Sequence, residues 1–137
     1  MNDNVFIDTN ILVYAHDKDT GLKHSKASQI VATFWEQRQR PFISIQVLQE
    51  LHVNLARKGA SIDIAAKIAT SYMSWRIIEN TSDVFRQALV EQRRWHLSFW
   101  DSMIIAAARK ANVPYLLSED LNAGQDYGSI VVLNPFN

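Results

Sequence analysis

Hydrophobic and polar positions along the chain form two kinds of pattern. Short apolar runs rich in β-branched and aromatic residues predict buried strands, whereas longer stretches with apolar residues three or four positions apart predict amphipathic helices. The strand candidates are the runs NVFIDT, PFISI, RIIE, PYLLS and SIVVLN. The helix candidates are KHSKASQIVATFWEQRQR, QVLQELHVNLARKG, SIDIAAKIATSYMSW, TSDVFRQALVEQRRW and SFWDSMIIAAARKAN.

The alternation of strands and helices predicts the fold class. Repeated strand–helix–strand units build a mostly parallel sheet, and their crossover helices cover both faces of it. Strands covered on both faces are continuous apolar runs, which accounts for VFI and YLL. We therefore predict a three-layer α/β/α domain. The sequence contains no internal repeat or linker, so residues 1–137 are expected to form one domain.

The amino-acid composition excludes several classes of functional site. The chain has no cysteine, which excludes disulfides, thiolate metal ligands and a cysteine nucleophile. Its 14 basic and 14 acidic residues give a net charge of zero, which neither favours nor excludes a nucleic-acid partner. The start MNDN does not resemble a secretion signal, and no apolar stretch approaches the roughly 20 residues that span a bilayer. We expect a cytoplasmic protein without a membrane partner.

Four acidic residues occupy positions that the predicted topology brings together. Asp8 ends the first strand, and Asp120 follows the strand PYLLS. Glu50 and Asp101 lie early in helices that start at the same edge of the sheet. Ligands of open parallel sheets bind outside the carboxyl ends of the strands, so these four side chains are expected to converge there.

Each acid also has an ordinary explanation. Asp101 forms a capping-box pattern with Ser98, Asp120 suits a turn, and Glu50 suits a solvated helix face. Asp8 differs, because an unpaired carboxylate at the end of a buried strand is costly. Together the four would repel one another unless a counter-charge were supplied, and the three residues on either side of each acid include no lysine or arginine.

A divalent cation is the counter-charge that oxygen ligands favour. Mg²⁺ or Mn²⁺ accepts carboxylates and leaves positions open for water and phosphate, and two such ions about 3.5–4 Å apart would clamp a phosphodiester. One or two ions are both compatible with the sequence. Zinc is disfavoured, since the histidines show no ligand spacing; they are His16, His24, His52 and His96.

Four motifs resemble those of a known family. The segments FIDTNIL, QVLQEL, FWDSMIIAAA and LLSEDLNAG stand in the order found in PIN-domain ribonucleases, especially the VapC-like toxins of bacterial type II toxin–antitoxin pairs. The ending VVLNPF is similar to one branch of that family. The resemblance implies a metal-dependent endonuclease that cleaves single-stranded RNA, with a catalytic and metal-binding quartet of Asp8, Glu50, Asp101 and Asp120.

The resemblance also implies roles for individual residues. Asp8 and Asp101 would bind the first ion, while Glu50 and Asp120 would orient water or complete a second metal position. Because no histidine or lysine base is evident, a metal-activated water is the expected nucleophile. Asn10 matches a polar position that helps to hold either metal-bound waters or the first acid, and Ser118 matches the Ser/Thr before the last acid, which is expected to donate a hydrogen bond. Glu119 stands where many members have a non-acidic residue, so a fifth carboxylate and a solvent-facing side chain both remain open.

Partners follow partly from composition and partly from the resemblance. Arg93 and Arg94, beside Trp95 and near Trp100, offer cations and aromatic rings to RNA. Arginines near a helix C-terminus more often complement the helix dipole, and tryptophans more often lie in the core. The resemblance implies a cognate antitoxin and a possible homodimer. Large apolar residues on helix faces suit an interface or a core: Phe34, Trp35, Tyr72, Met73 and Trp75.

Two other classes of function remain open. A magnesium-dependent phosphotransfer or receiver-like domain also gathers acids at strand ends, but it usually has a nearby lysine, which FIDTNIL and LLSEDL lack. A catalytically silent RNA-binding or partner-binding module would have no reason to keep four mutually repelling acids. Release of RNA fragments rather than phosphate distinguishes the nuclease from both alternatives.

Overall fold

The computed structural model describes residues 4–137. Five parallel strands form one sheet in the order β3-β2-β1-β4-β5. The strands are β1 (Val5–Ile7), β2 (Phe42–Ser44), β3 (Arg76–Ile78), β4 (Tyr115–Leu117) and β5 (Val131–Leu133). The predicted α/β fold with a central parallel sheet is confirmed. All five strand candidates form strands of three residues each.

Six α-helices connect and flank these strands in the described part of the chain. They are α1 (Thr9–His16), α2 (Leu22–Glu36), α3 (Ile45–Arg57), α4 (Ile62–Ser71), α5 (Ser82–Trp95) and α6 (Phe99–Lys110). Hydroxyl side chains cap α3, α4, α5 and α6 by accepting a backbone N–H of the first turn. Helix α3 ends just before Gly59, which has a φ of +106° that glycine adopts without strain.

Three helices differ from the prediction, of which α2 differs least: it ends at Glu36, four residues before the end of the predicted segment. Helix α1 was not predicted, because the run ILVY that it contains is also typical of a strand. The helix predicted over SIDIAAKIATSYMSW ends at Ser71 and gives way to a 3₁₀ turn, Tyr72–Ser74. This turn directs Tyr72 and Trp75 into the core, where they are 1% and 3% exposed. Burial of two large aromatic rings outweighs continuation of the helix.

The sheet forms the centre of the core. Phe6 pairs with Phe42 on one side and Leu116 on the other, and Phe6, Ile43 and Leu116 are fully buried. Burial of each such side chain contributes on the order of 2 kcal/mol relative to exposure. The carboxyl ends of β1 and β4 are consequently held rigidly next to each other.

Most of the aromatic residues considered for a dimer interface lie in the core. Trp75 packs against Tyr72, Trp35 and Phe34 with ring centroids 4.8, 5.3 and 6.2 Å away. Of the five candidates only Met73 is exposed. The core explanation therefore accounts for four of them, and the homodimer stays a prediction. No helix within residues 4–137 is long and apolar enough to cross a membrane.

Candidate functional site

The four predicted acids line one cavity. Its volume is about 320 Å³, and it opens at the carboxyl edge of the sheet. Asp8 follows β1, Glu50 lies on α3, Asp101 lies in the first turn of α6, and Asp120 follows β4. The parallel topology thus brings together residues from four separate elements.

Asp8 is the most deeply buried of the four acids, with 4% of its surface exposed. Its carboxylate accepts the backbone N–H of Thr9 and the hydroxyl of Ser118, both at 2.7 Å. The first of these bonds makes Asp8 the N-cap of α1. Burial raises the pKa of Asp8 to about 7, and the charges of Asp120 and Glu50 add to the rise, whereas the two hydrogen bonds oppose it.

Neutral side chains hold the acids in place. The amide of Asn10 donates to Asp120 at 3.0 Å and, over a longer 3.5 Å, to Asp8. Ser118 donates its hydroxyl to Asp8 and accepts the backbone N–H of Asp120 at 3.1 Å. Asn10 and Ser118 therefore link the acids that follow β1 and β4.

Two further supporting residues were not predicted from the sequence. Thr9 donates its hydroxyl to Glu50 at 2.7 Å and so connects α1 to α3. Gln46 acts similarly between α3 and α6, because its amide donates to the carbonyl of Trp100 at 3.2 Å. Both residues line the cavity. Hydroxyl and amide residues beside an acid are common, so nothing in the sequence distinguished these two.

Asp101 combines a capping position with a place in the cavity. The Ser98 hydroxyl accepts the backbone N–H of Asp101, so the predicted capping pattern is present. Partial burial raises the pKa of Asp101, and the negative charge of Asp120 contributes to the rise while Ser98 opposes it. The side chain is half-buried and faces the other acids rather than open solvent.

Glu119 turns away from the cavity. Its carboxylate accepts the Tyr14 hydroxyl at 2.6 Å and pairs with Lys23 at 2.7 Å. Partial burial would raise the pKa of Glu119, but these hydrogen bonds outweigh that effect and lower it. The side chain is thus neither a fifth acid of the cavity nor a solvated residue.

The oxygen-rich donor set fits a hard divalent cation. No histidine among the described residues lines the cavity, which makes the donors carboxylates, amides and hydroxyls. Within residues 4–137, no three histidine, cysteine or acidic side chains are drawn together closely enough to form a ready ion site. The raised pKa values of Asp8 and Asp101 nevertheless record a burial and repulsion cost that a cation would relieve.

The arginines considered for RNA binding lie outside this cavity. Arg93 and Arg94 are in the last turn of α5, and the Arg94 guanidinium stacks over the Trp95 ring at 4.4 Å. Trp100 does line the cavity and is 62% exposed. Lys58 also lines it, which the sequence reasoning missed. Its spacing of eight residues from Glu50, two helical turns on the same face, was the available signal.

Comparison with known proteins identifies the fold family. The family model described as the PIN domain matches residues 5–125, which is most of the chain. The chain belongs to the PIN-domain family. The matched region includes all four acids of the cavity together with Asn10 and Ser118. The comparison with curated proteins returns no match.

Solved structures of a toxin and of toxin–antitoxin complexes share the fold. A chain of a toxin–antitoxin complex from Klebsiella pneumoniae superposes with a TM-score of 0.70 at 18% identity, covering 96% of this chain and 98% of that one. VapC20 of Mycobacterium tuberculosis, a sarcin-ricin loop cleaving toxin, gives 0.67 at 23% identity, with coverages of 85% and 92%. DNA-bound VapBC from Salmonella typhimurium superposes with a TM-score of 0.66 at 18% identity, covering 94% of this chain and 96% of that one.

Proposed function

We propose that this PIN-domain protein is a divalent-metal-dependent endoribonuclease that cleaves single-stranded RNA. The observation that carries the proposal is the convergence of Asp8, Glu50, Asp101 and Asp120 in one open cavity. The structural neighbours support this function, since one is described as a toxin–antitoxin complex and another as a toxin that cleaves the sarcin-ricin loop.

Within this proposal the acids divide into two pairs. Asp8 and Asp101 would hold the first Mg²⁺ or Mn²⁺, and Glu50 and Asp120 would orient water or complete a second position. A bound cation would polarise the scissile phosphate and make water a better nucleophile at neutral pH. The hydrogen bonds from Thr9, Asn10 and Ser118 fix the carboxylates before the cation and the RNA arrive.

The same proposal includes an antitoxin partner. Several structural neighbours are described as toxin–antitoxin or VapBC complexes. We propose that this chain is the toxin of a type II pair, and that its antitoxin blocks the acidic cavity. Expression of the chain alone should arrest bacterial growth, and co-expression of the protein encoded by the adjacent gene should restore growth.

Cleavage of labelled RNA tests the enzymatic proposal directly. Purified protein with Mg²⁺ or Mn²⁺ should convert end-labelled single-stranded RNA into shorter fragments, and EDTA should stop the reaction. Release of inorganic phosphate without fragments would instead identify a phosphotransfer function. Unaltered cleavage in EDTA would disprove the metal dependence.

The pKa of Asp8 predicts how pH and metal affect stability. Without metal, the folded state holds a proton at Asp8 up to about pH 7, whereas the unfolded chain loses it near pH 3.8. The contribution of Asp8 to the free energy of unfolding therefore falls as pH rises from about 4 to about 7. Asp8→Asn should be similar to the parent at pH 4 and more stable above pH 7, by on the order of 2–4 kcal/mol.

Urea unfolding at both pH values, with and without metal, measures this effect. Mn²⁺ should raise the unfolding temperature of the parent and leave that of Asp8→Asn unchanged. The Asp63→Asn variant provides a control, since Asp63 is exposed and lies outside the cavity. An Asp8→Asn protein that is less stable than the parent at pH 8 without metal would contradict the assignment of Asp8.

A further inference from the structure

One face of α3 forms a polar row along the acidic cavity. Gln46, Glu50, Asn54 and Lys58 are spaced four residues apart, and all four line the cavity. Residues with this spacing lie on the same side of a helix, one above another. The row therefore leads from the buried acids to the exposed C-terminal end of α3.

The opposite wall of the cavity belongs to α1. Asn10, Val13 and Tyr14 line it from that side, and α1 packs against α3. The cavity thus extends along the junction of the two helices beyond the acids. An extended chain lying in this junction would pass the acids at one end and Lys58 at the other.

Lys58 supplies positive charge at the outer end of the row. Among residues 4–137 it is the one cation that lines the cavity. It lies two turns beyond Glu50, about 12 Å along the helix axis. Its ammonium is 2.8 Å from the Asp17 carboxylate, and the lysine side chain is 44% exposed while that of Asp17 is 10% exposed. The cation is consequently held in place and yet open to a ligand.

We propose that Lys58 binds a phosphate of the single-stranded RNA beside the scissile bond, and that Asp17 holds Lys58 in position and competes with that phosphate. The inference rests on the proposed ribonuclease function and specifies how its substrate is held. The distance from Glu50 assigns Lys58 to a flanking phosphate rather than to the one being cleaved.

Electrostatics explains why this cavity needs such a residue. Four carboxylates repel a polyanion, and cations bound among them offset that repulsion only at the scissile phosphate. A compact ammonium group is a common partner for phosphate oxygens. The nearby Lys23 is not available for this task, because it pairs with Glu119 outside the cavity.

The competing explanation is that the ion pair only joins the ends of two helices. Asp17 is the C-cap of α1 and Lys58 is the C-cap of α3, so their contact also connects these ends. A purely structural pair predicts the same effect from loss of either partner. If Lys58 binds phosphate and Asp17 competes with that phosphate, loss of the two partners should change RNA affinity in opposite directions, because loss of Asp17 frees the lysine.

RNA affinity of matched variants distinguishes the two explanations. Binding is measured by fluorescence anisotropy with a labelled single-stranded RNA and Mg²⁺, in an Asp101→Asn background in which cleavage is slow. Lys58→Ala should weaken binding about 5-fold to 10-fold and reduce the slope of log affinity against log salt by about 0.7, the value for one phosphate contact on a single strand. Asp17→Asn should tighten binding about 2-fold to 3-fold.

The variants are chosen so that the fold is preserved. Asparagine at position 17 can still accept the Asp19 backbone N–H that Asp17 caps at 3.1 Å. Lys58→Gln serves as a second variant if alanine lowers the unfolding temperature, and Lys67→Ala, exposed on α4, is the control and should change nothing.

Two results would overturn the assignment of Lys58. One is a Lys58→Ala protein with unchanged affinity and salt slope, and the other is an Asp17→Asn protein that loses affinity as Lys58→Ala does. If the parent chain cleaves single-stranded RNA and either result is found, only this inference fails. If the parent neither binds nor cleaves RNA with any divalent metal, the proposed function and this inference fail together.

Discussion

Asp101→Asn should leave the fold intact and slow cleavage of single-stranded RNA by on the order of 100-fold or more, the usual cost of removing one group that stabilises transition-state charge. The fold should survive because the capping bond of α6 uses the Ser98 hydroxyl and the backbone N–H of residue 101, which asparagine retains. Activity should be lost because one negative ligand of the proposed cation disappears. Single-turnover cleavage at saturating Mg²⁺ measures the rate.

Asp63→Asn is the matched control for this experiment. Asp63 occupies the first turn of α4, as Asp101 occupies the first turn of α6, but it is exposed and does not line the cavity. Its substitution should leave cleavage unchanged. Substantial cleavage by Asp101→Asn, with an unfolding temperature like that of the parent, would remove Asp101 from the proposed catalytic set.

Among the single substitutions named in this section, Arg109→Met should lower the free energy of unfolding most. Arg109 pairs through two nitrogens with Glu91, which is 1% exposed, and also donates to the carbonyls of Gly128 and Tyr127 at 2.8 and 2.6 Å. Removal of the guanidinium leaves a buried carboxylate without its cation and two carbonyls without their donor. Loss of one partner of a buried ion pair typically costs about 3–5 kcal/mol. Urea unfolding at neutral pH measures this loss.

Two further variants show how much of this loss arises because the Glu91–Arg109 pair is buried, and how much because one of its charges is left unpaired. Arg86→Met removes an exposed ion pair with Asp83, in which both side chains are about 70% exposed, and it should cost less than about 1 kcal/mol. The double variant Glu91→Gln with Arg109→Met should recover part of the loss, because no unpaired charge remains in the interior. If Arg109→Met alone lowers the free energy of unfolding no more than Arg86→Met does, the buried pair contributes little to stability.

The strands and the acidic quartet could be predicted because they depend on local patterns and on topology. Continuous apolar runs indicated the strands, and the geometry of parallel crossovers brought Asp8, Glu50, Asp101 and Asp120 to one edge. Their proximity required no knowledge of side-chain conformation. Their assignment as metal ligands and catalytic residues stays a prediction.

What the sequence left open depends on contacts between distant segments. The orientation of Glu119 is decided by Tyr14 on α1 and Lys23 on α2, neither of which is its neighbour in sequence. Helix α1 escaped prediction because it is short and its apolar residues are buried on several sides, so no amphipathic period is visible. Proximity in sequence to Asp101 likewise did not put Arg93 and Arg94 in the cavity.

Asp8 has two structural roles, and this affects how an inactive form of the protein is best prepared. Its carboxylate begins α1 by accepting the Thr9 N–H and is also the most buried acid of the cavity. An alanine at position 8 would remove a helix start and a charge at once, so a lost activity could reflect a frayed helix. The side chain of Asp101 does not begin a helix in this way, because the N-cap of α6 is Ser98. For trapping the proposed complex with RNA, Asp101→Asn is therefore the better inactive variant.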